Sequence, residues 1–230
     1  MRAIQQQTSV LNNDNLLGIY HVMMQHGDEV NAQKIIDLYK KKQSNEYIIG
    51  FTGHFSAGKS SMINALIGTD LLPKSPIPTS ANIVKLSSGE GVARVFFHNE
   101  EPIEYDEPYD LDMIKEYCKD KDSIQKIEIS SSQPIIPEQC SIIDTPGIDA
   151  ADDTDRIITE SSLHLVDVLF YVMDYNHVQS ELNLMFLKNI QSMNIPFHII
   201  INQIDKHNEK ELTFQSFKKS IKQTFDQWGL

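Results

Sequence analysis

The chain has 230 residues, with 20 lysines and arginines against 32 aspartates and glutamates, and a net charge of -12. The acidic residues are spread along the chain, and a surface of this sign repels nucleic acid and anionic lipid, which argues against a nucleic-acid partner. The 2 cysteines lack metal-ligand spacing, so we predict no zinc site. The start lacks a signal peptide and no apolar run could span a bilayer, so we predict a cytoplasmic chain.

Two amphipathic helices are predicted ahead of the first strand. Apolar residues recur at helical spacing over 16–23 and again over 32–39, and Asp28 is a candidate N-cap for the second helix. One apolar stripe on each helix suits packing on the main domain, and it equally suits half of a helical bundle completed by residues outside this chain. The spacing leaves both interpretations open, and we assign residues 1–43 to this helical appendage.

The next segment has the pattern GxxxxGK[ST] between an apolar strand and a helix, which predicts a phosphate-binding loop. Two glycines let successive backbone N–H groups point inward, and the start of the helix adds partial positive charge. We expect Lys59 to reach the outer phosphates and the Ser60 hydroxyl to ligate Mg2+. The predicted nucleotide-binding residues of this loop are Gly53, His54, Phe55, Ser56, Ala57, Gly58, Lys59, Ser60 and Ser61.

The middle of the chain combines a proline-rich loop with several short strands. Residues 71–82 contain closely spaced prolines, which forbid helix and regular strand and predict an extended, exposed loop. An acidic, turn-rich stretch at 104–112 is predicted to be a solvated connection. The predicted strands lie at 83–86, 92–97 and 124–129, and a helix is predicted at about 111–118.

Apolar strands alternate with helices in the second half of the chain. A strand over 141–143 runs into Asp144 and the pattern DxxG, and a polar segment at 150–155 precedes a helix to about 165. Further strands are predicted at 166–171 and 197–201, a helix at 182–193, and a final helix with one apolar face from Phe214 to Trp228. The pattern predicts an α/β fold, a mainly parallel P-loop GTPase sheet with helices on both faces, plus the N-terminal helical appendage.

Groups for phosphate chemistry follow the loop in the order that a GTPase needs. Thr79, in the proline-rich loop, is expected to close on Mg2+ and the γ-phosphate and to help hold the attacking water. Asp144 can hold a magnesium-bound water, and Gly147 can offer its N–H to the γ-phosphate because it has no side chain. We therefore predict Lys59, Thr79, Asp144 and Gly147 as catalytic residues, and Ser60, Thr79 and Asp144 as the metal set.

A guanine-recognition motif follows the last predicted strand. Asp205 stands where a carboxylate accepts from the N1 and N2 amino groups of guanine, and Asn202 stands where a side chain braces the base, with Gln203 between them. Adenine presents a lone pair where guanine presents the N1 donor, so a carboxylate disfavours adenine. These motifs lie at the carboxyl ends of strands, where ligands of such sheets bind, and we predict GTP and GDP as the ligands.

Together these motifs resemble the GTPase domain of a dynamin-like protein over about residues 44–230. The phrases GHFSAGKSSMINALIG, LLPKSPIPTSAN and DTPGID are most similar to those of bacterial dynamin-like proteins. The Ser60-Ser61 pair, the proline-rich segment that carries Thr79 and the long span from there to Asp144 make the resemblance more specific than "GTPase". It favours the bundle interpretation of the N-terminal helices.

The resemblance implies a Mg2+-dependent GTPase that is stimulated when two GTPase domains associate face to face. It also implies that the full-length protein remodels membranes by fusion, tethering or fission. The lipid-binding part would lie outside this chain, and the full-length protein would be peripheral to the membrane. A final strand and a base-covering guanine loop are expected beyond Leu230.

Three positions depart from the family pattern or from related GTPases. Phe55 stands where many dynamins have a glutamine that orients the catalytic water, and Ile148 stands where Ras-like enzymes have theirs. Gln203 replaces a lysine whose stem covers the guanine ring, which predicts weaker guanine affinity with the preference retained, unless Gln203 contacts nothing. No arginine lies in the phosphate loop; Ser56 matches a position that helps hold a monovalent cation, K+ or Na+, and joins the catalytic candidates for that reason.

Two other function classes compete with this interpretation. A regulatory or ribosome-assembly switch GTPase would use hydrolysis as a timer, but the acidic surface disfavours an RNA partner and the long span between Thr79 and Asp144 disfavours a minimal switch. A nucleotide-binding module without turnover is disfavoured because Lys59, Thr79, Asp144 and Gly147 are all present.

Overall fold

A computed structural model describes residues 13–73, 82–120, 122–147 and 162–230. The chain forms two compact units, Met1–Tyr47 and Ile48–Leu230. Among the described helices, none combines the length and apolar character needed to cross a membrane. The domain boundary that we placed at residue 44 stays a prediction.

The first unit is a pair of helices, α1 (Asn13–Gln25) and α2 (Glu29–Ser44), as the apolar stripes predict. A turn at Gly27 with φ +74° separates them, a conformation that glycine adopts without strain. The Asp28 side chain accepts from the Asn31 backbone N–H at 3.2 Å, so the predicted N-cap is confirmed. Leu16 and Ala32 are buried.

The second unit is built on one eight-stranded sheet with the strand order β4-β3-β5-β2-β6-β1-β7-β8. Strand β1 pairs with β7 in parallel, β7 with β8 in parallel, and β2 with β5 in parallel. The strands are β1 (Tyr47–Gly53), β2 (Ile83–Ser88), β3 (Val92–Phe97), β4 (Ile103–Asp106), β5 (Ile124–Ser131), β6 (Cys140–Asp144), β7 (Val168–Asp174) and β8 (Phe197–Asn202). The predicted α/β fold class is confirmed, and the pairs β2–β6, β3–β4 and β3–β5 are antiparallel.

Apolar side chains alternate between the two faces of the sheet and build two cores. One core joins residues such as Phe51 and Val172 to helices α3 (Lys59–Ile67) and α4 (Leu111–Tyr117). The other joins Ile48 and Leu169 to helices α5 (Glu181–Ser192) and α6 (Phe214–Trp228). A buried strand residue of this size contributes about 1.5–3 kcal/mol to the free energy of unfolding, so both faces fix the position of the central strands.

The prediction of a solvated connection over 104–112 is wrong at its start, whereas the helix predicted at about 111–118 is confirmed. Residues 103–106 form β4, which pairs antiparallel with β3 from Val95↔Ile103 to Val92↔Asp106. Helix α4 begins at Leu111, with the Asp110 side chain accepting from the Asp112 N–H at 2.9 Å. Strand β4 is at the edge of the sheet and its side chains are mostly exposed, so it lacks the apolar alternation that marks an inner strand.

Some predictions concern segments outside the described residues. They include most of the proline-rich loop with Thr79, the residue Ile148, and the polar segment and most of the helix placed before residue 165.

Candidate functional site

The phosphate loop connects the end of β1 to the start of α3, as the GxxxxGK[ST] pattern predicts. Gly53 has φ +137°, and a Cβ there would lie 2.0 Å from the carbonyl oxygen of Val172 on the paired strand β7. Gly58 has φ +92° and precedes the first residue of α3. Both turns require glycine, because other side chains are strained at positive φ and the first would also clash with backbone.

Lys59 is buried at the start of α3, with 5% of its surface exposed. Its Nζ donates to the carbonyl oxygens of Gly53 at 3.1 Å and His54 at 3.0 Å. The loop therefore folds its own backbone around the ammonium group. An ammonium group held beside a helix start is well placed to meet a polyphosphate.

Ser60 and Asp144 meet although they are far apart in the sequence. The Ser60 hydroxyl donates to Asp144 Oδ2 at 2.7 Å. Asp144 is fully buried, and its Oδ1 has no hydrogen-bond partner in the described part of the chain. Burial raises the pKa of Asp144 to about 6, and the Lys59 charge and the Ser60 hydrogen bond act in the opposite direction.

These two side chains fit a magnesium ion. A hydroxyl oxygen and a carboxylate oxygen are the hard donors that Mg2+ prefers, usually with several waters kept in its shell. The orphaned Oδ1 of Asp144 could accept from a water held by a cation or bind the cation itself. The third member of the predicted metal set, Thr79, lies outside the described residues.

The DxxG segment packs directly on the phosphate loop. A Cβ at Gly147 would lie 2.8 Å from the backbone nitrogen of Phe55 and 2.9 Å from its Cα. Two residues earlier, the backbone N–H and the hydroxyl of Thr145 both donate to the carbonyl oxygen of Phe51, at 3.2 and 3.1 Å. Thr145, which we did not predict, thus fixes the segment to β1.

The guanine motif is hydrogen-bonded to the same loop. Asn202 Nδ2 donates to the carbonyl oxygen of Ala57 at 2.8 Å, and Gln203 Nε2 donates to that of Ser56 at 2.7 Å. Gln203 has φ +60° and precedes a 3-10 turn, Ile204–Lys206, that carries the exposed Asp205. Gln203 therefore contacts the phosphate loop, and its predicted effect on guanine affinity stays a prediction.

Three residues of the phosphate loop differ in how far their side chains are exposed. Ser56 is exposed and has φ +58°, Phe55 is half-buried, and Ser61 is exposed on the first turn of α3. Ser56 is accessible to a cation, although its carbonyl already accepts from Gln203. The phenyl ring of Phe55 has no group that can orient water.

A cavity of about 440 Å3 opens beside the loop and brings in residues that sequence reasoning missed. Asp174 ends the apolar strand β7 beside β1, which is the signal that could have revealed it, and its Oδ2 lies 2.7 Å from His177 Nδ1. Burial acts to raise the pKa of Asp174, but hydrogen bonds from His177 and the Asn176 N–H outweigh it and hold the pKa below its usual value. The cavity is lined by His54, Phe55, Ser56, Asp174, Asn176, His177, Gln203 and Lys206.

A second unpredicted contact supports the guanine motif from behind. The Tyr175 hydroxyl lies 2.6 Å from Nδ1 of His207, the residue that follows the 3-10 turn. The two rings pack with Phe217 of α6, with centroids 4.4 Å from Tyr175 and 5.9 Å from His207. The loop after β7 and the guanine motif are thereby held together.

Comparison with known proteins agrees with this geometry. The sequence profile of the dynamin family matches residues 49–205. Dynamin-like protein A of Bacillus subtilis (strain 168) is 39% identical over 212 residues, which is 92% of this chain and 18% of that protein. Dynamin-like protein 1 of Campylobacter jejuni is 28% identical over 225 residues, 80% of this chain and 31% of that protein.

The fold is also found in a solved bacterial dynamin. A structure described as an oligomerised bacterial dynamin pair, with a mechanism for the long range sensing and tethering of membranes, matches with a TM-score of 0.60 at 24% identity. The match covers 95% of this chain and 43% of that one. The chain thus spans less than a third of the two curated relatives and less than half of the solved structure.

Proposed function

The chain belongs to the dynamin family and carries its GTPase domain, and from this premise we propose that it binds GTP and cleaves it to GDP and phosphate. The proposed site comprises residues 53–61, Asp144, Gly147, Asn202, Gln203 and Asp205. Thr79 is included in this proposal from the sequence alone. Family membership also disfavours the alternative of a ribosome-assembly switch.

The observation that carries the proposal is the pair of hydrogen bonds between the guanine motif and the phosphate loop. Asn202 and Gln203 bond to the carbonyls of Ala57 and Ser56, so one rigid unit can hold a base and a polyphosphate at a fixed separation. Asp205 remains exposed at the end of this unit. A carboxylate in that place accepts two donors from guanine and repels the lone pair of adenine.

The reaction transfers the γ-phosphoryl group to water. The bond between the γ-phosphorus and the β–γ bridging oxygen breaks, a bond to the water oxygen forms, and the bridging oxygen leaves with GDP. Lys59, released from the carbonyls of Gly53 and His54, provides the charge that the outer phosphates meet. The Gly147 N–H donates to the γ-phosphate from a segment that already contacts the loop at Phe55.

Ser60 and Asp144 would hold Mg2+, which when bound neutralises charge on the β- and γ-phosphates. Before Mg2+ binds, the hydrogen bond between Ser60 and Asp144 fixes the orientation of both side chains. Asp144 enters this role from a fully buried position, where its charge is felt strongly.

Water activation must come from groups other than Phe55, and we propose Thr79, a monovalent cation at Ser56 and a second GTPase domain. The exposure of Ser56 supports a cation there. Replacing K+ or Na+ by a non-coordinating organic cation at equal ionic strength should slow GTP turnover. Equal turnover in all three salts would exclude the cation.

Self-association through the nucleotide face should make turnover depend on concentration. We expect phosphate release per molecule to rise with protein concentration, and a flat profile over a wide range would contradict stimulation by a second domain. We also propose that the longer protein remodels membranes from the cytoplasm through parts outside this chain, because the relatives are dynamin-like proteins that extend well beyond the region of similarity.

The decisive test exploits the base-reading carboxylate. Asp205→Asn replaces an acceptor by an amide that can also donate, which suits the C2 carbonyl of xanthine rather than the C2 amino group of guanine. The variant should lose turnover of GTP and gain turnover of XTP. The matched control is Asp226→Asn, an exposed carboxylate on α6; identical GTP and XTP profiles for the two variants would refute the assigned guanine site.

A further inference from the structure

The position at which the family has a lysine carries a glutamine that bonds in two directions. Gln203 Nε2 donates to the carbonyl oxygen of Ser56 at 2.7 Å, and Gln203 Oε1 accepts from Nζ of Lys206. A primary amide can do both at once because it has a donor and an acceptor at its end, whereas an ammonium group can only donate. The order Lys206, Gln203, Ser56 is therefore a continuous hydrogen-bonded chain that ends on the phosphate loop.

The local backbone explains why Lys206 reaches Gln203. Residues 204–206 form a 3-10 turn, and the Lys206 N–H donates to the Gln203 carbonyl at 3.1 Å. In a 3-10 helix the side chains at i and i+3 eclipse one another. The left-handed conformation of Gln203, φ +60°, starts this turn immediately after β8.

A charged donor changes what the amide can offer. Hydrogen bonds to ionised groups are about twice as strong as neutral ones, and a donor on the carbonyl side of an amide polarises its N–H groups. The bond from Gln203 to Ser56 is thus strengthened by the Lys206 charge. Both side chains also line the cavity beside Phe55 and Ser56, so the positive charge and the apolar stem lie at the site where nucleotide is proposed to bind.

We propose that Lys206, acting through Gln203, is a positioning residue of the guanine pocket and supplies the positive charge that is missing at position 203. This inference rests on the proposed nucleotide-binding function. It revises the expectation from the sequence, because guanine affinity is maintained by a lysine three residues later in the chain rather than weakened by its absence.

The test measures binding of the fluorescent analogue mant-GDP and steady-state GTP turnover with the full chain. Lys206→Gln should raise the Kd and the KM about three- to tenfold with kcat unchanged, a range set by a charged but exposed hydrogen bond. Lys206→Arg should retain most of the affinity. The matched control is Lys210→Gln, an exposed lysine in the following loop, which should change the Kd by less than about twofold.

The exchange variant tests the connection between the two residues. Gln203→Lys with Lys206→Gln returns the lysine to the motif, and it should restore a Kd close to that of the wild type although Lys206→Gln alone weakens binding. Thermal unfolding of each variant shows that it is folded. A simple surface-charge effect would make Lys206→Gln and Lys210→Gln alike, and that result would overturn the inference. An exchange variant that binds mant-GDP as weakly as Lys206→Gln would overturn it as well.

Failure of the proposed function has a different signature. A folded wild type that binds no mant-GDP overturns the nucleotide site and this inference with it. A wild type that binds mant-GDP together with an unaffected Lys206→Gln variant overturns the inference alone.

Discussion

Replacing Ser60 by alanine tests the pairing on which the magnesium proposal depends. The change removes the hydroxyl that donates to Asp144 Oδ2 at 2.7 Å. Because Oδ1 of this carboxylate has no hydrogen-bond partner in the described part of the chain, the variant leaves a fully buried carboxylate without its Ser60 donor. Its pKa, already raised to about 6 by burial, should rise further.

The expected loss of stability follows from the charge of the acceptor. A hydrogen bond to an ionised group contributes about 1.5–3 kcal/mol, so in EDTA the variant should be about 2 kcal/mol less stable. For a domain of this size that corresponds to a fall in Tm of about 4–8 °C. Loss of a metal ligand adds a separate effect, and half-maximal GTP turnover should need about tenfold more Mg2+.

Ser88→Ala is the matched control because it removes an equally short hydrogen bond elsewhere. Ser88 Oγ donates to the neutral Ile136 carbonyl at 2.7 Å and accepts from the Ile136 N–H at 3.1 Å. Strand β2 runs from Val84, opposite Asp144, away toward Ser88 at its other end. This variant loses two neutral hydrogen bonds and should be about 1–3 kcal/mol less stable, with an unchanged Mg2+ requirement. Thermal unfolding in EDTA and Mg2+ titration of turnover measure the two effects. An unchanged Mg2+ requirement in Ser60→Ala would refute the metal assignment, and a stability equal to wild type would refute the buried pairing.

Three further predictions concern residues around the site and the core. Tyr175→Phe removes a hydroxyl bonded to the buried imidazole of His207, so the variant should be about 1–2 kcal/mol less stable and have a higher KM for GTP. The control Tyr105→Phe breaks a tyrosine–tyrosine hydrogen bond in the distant β4 and should lower stability without changing the KM. An equal KM in the two variants would contradict the supporting role of Tyr175. Iodoacetamide should modify Cys140 but not Cys118 in the native protein, because burial raises the pKa of Cys118 to about 12; two modified cysteines by mass spectrometry would contradict this. Asp174→Asn should be less stable than wild type at pH 7. Because the pKa of Asp174 is depressed in the folded state, the stability difference measured by urea titration should vanish as the pH falls through that pKa. A difference that stays constant with pH would exclude ionisation of Asp174 as its cause.

The sequence allowed prediction of those parts of the site whose chemistry depends on residue identity. A phosphate loop needs its glycines, and the structure shows why at Gly53, where any Cβ would meet the backbone of β7. The DxxG and guanine motifs were predicted in the same way, from polar residues that directly follow apolar strands. The fold class followed from the alternation of apolar strands and helices, which reflects burial on both faces of the sheet.

The contacts between motifs could not be predicted, because they depend on strand order and register. Gln203 lies far from Ser56 in the sequence, and they meet because β1 and β8 both flank β7 in parallel register. Thr145 occupies a variable position of DxxG and Asp174 lies outside the motifs, so only their positions at strand ends reveal them. The edge strand β4 was missed because its backbone pairs with one neighbour only and its side chains are mostly exposed, so no apolar pattern marks it.

Gln203 and Phe55, the two unusual residues of the site, differ in whether a neighbouring side chain can replace the function that each one lacks. A lysine at position 203 would contribute a hydrogen bond to the loop and a positive charge, and an amide with a neighbouring ammonium group supplies both. Phe55 is different, because its side chain has no donor or acceptor and its backbone already fills the space beside Gly147. No neighbouring group can act through a phenyl ring as Lys206 acts through Gln203. The need for a cation or a second GTPase domain therefore depends on residue 55.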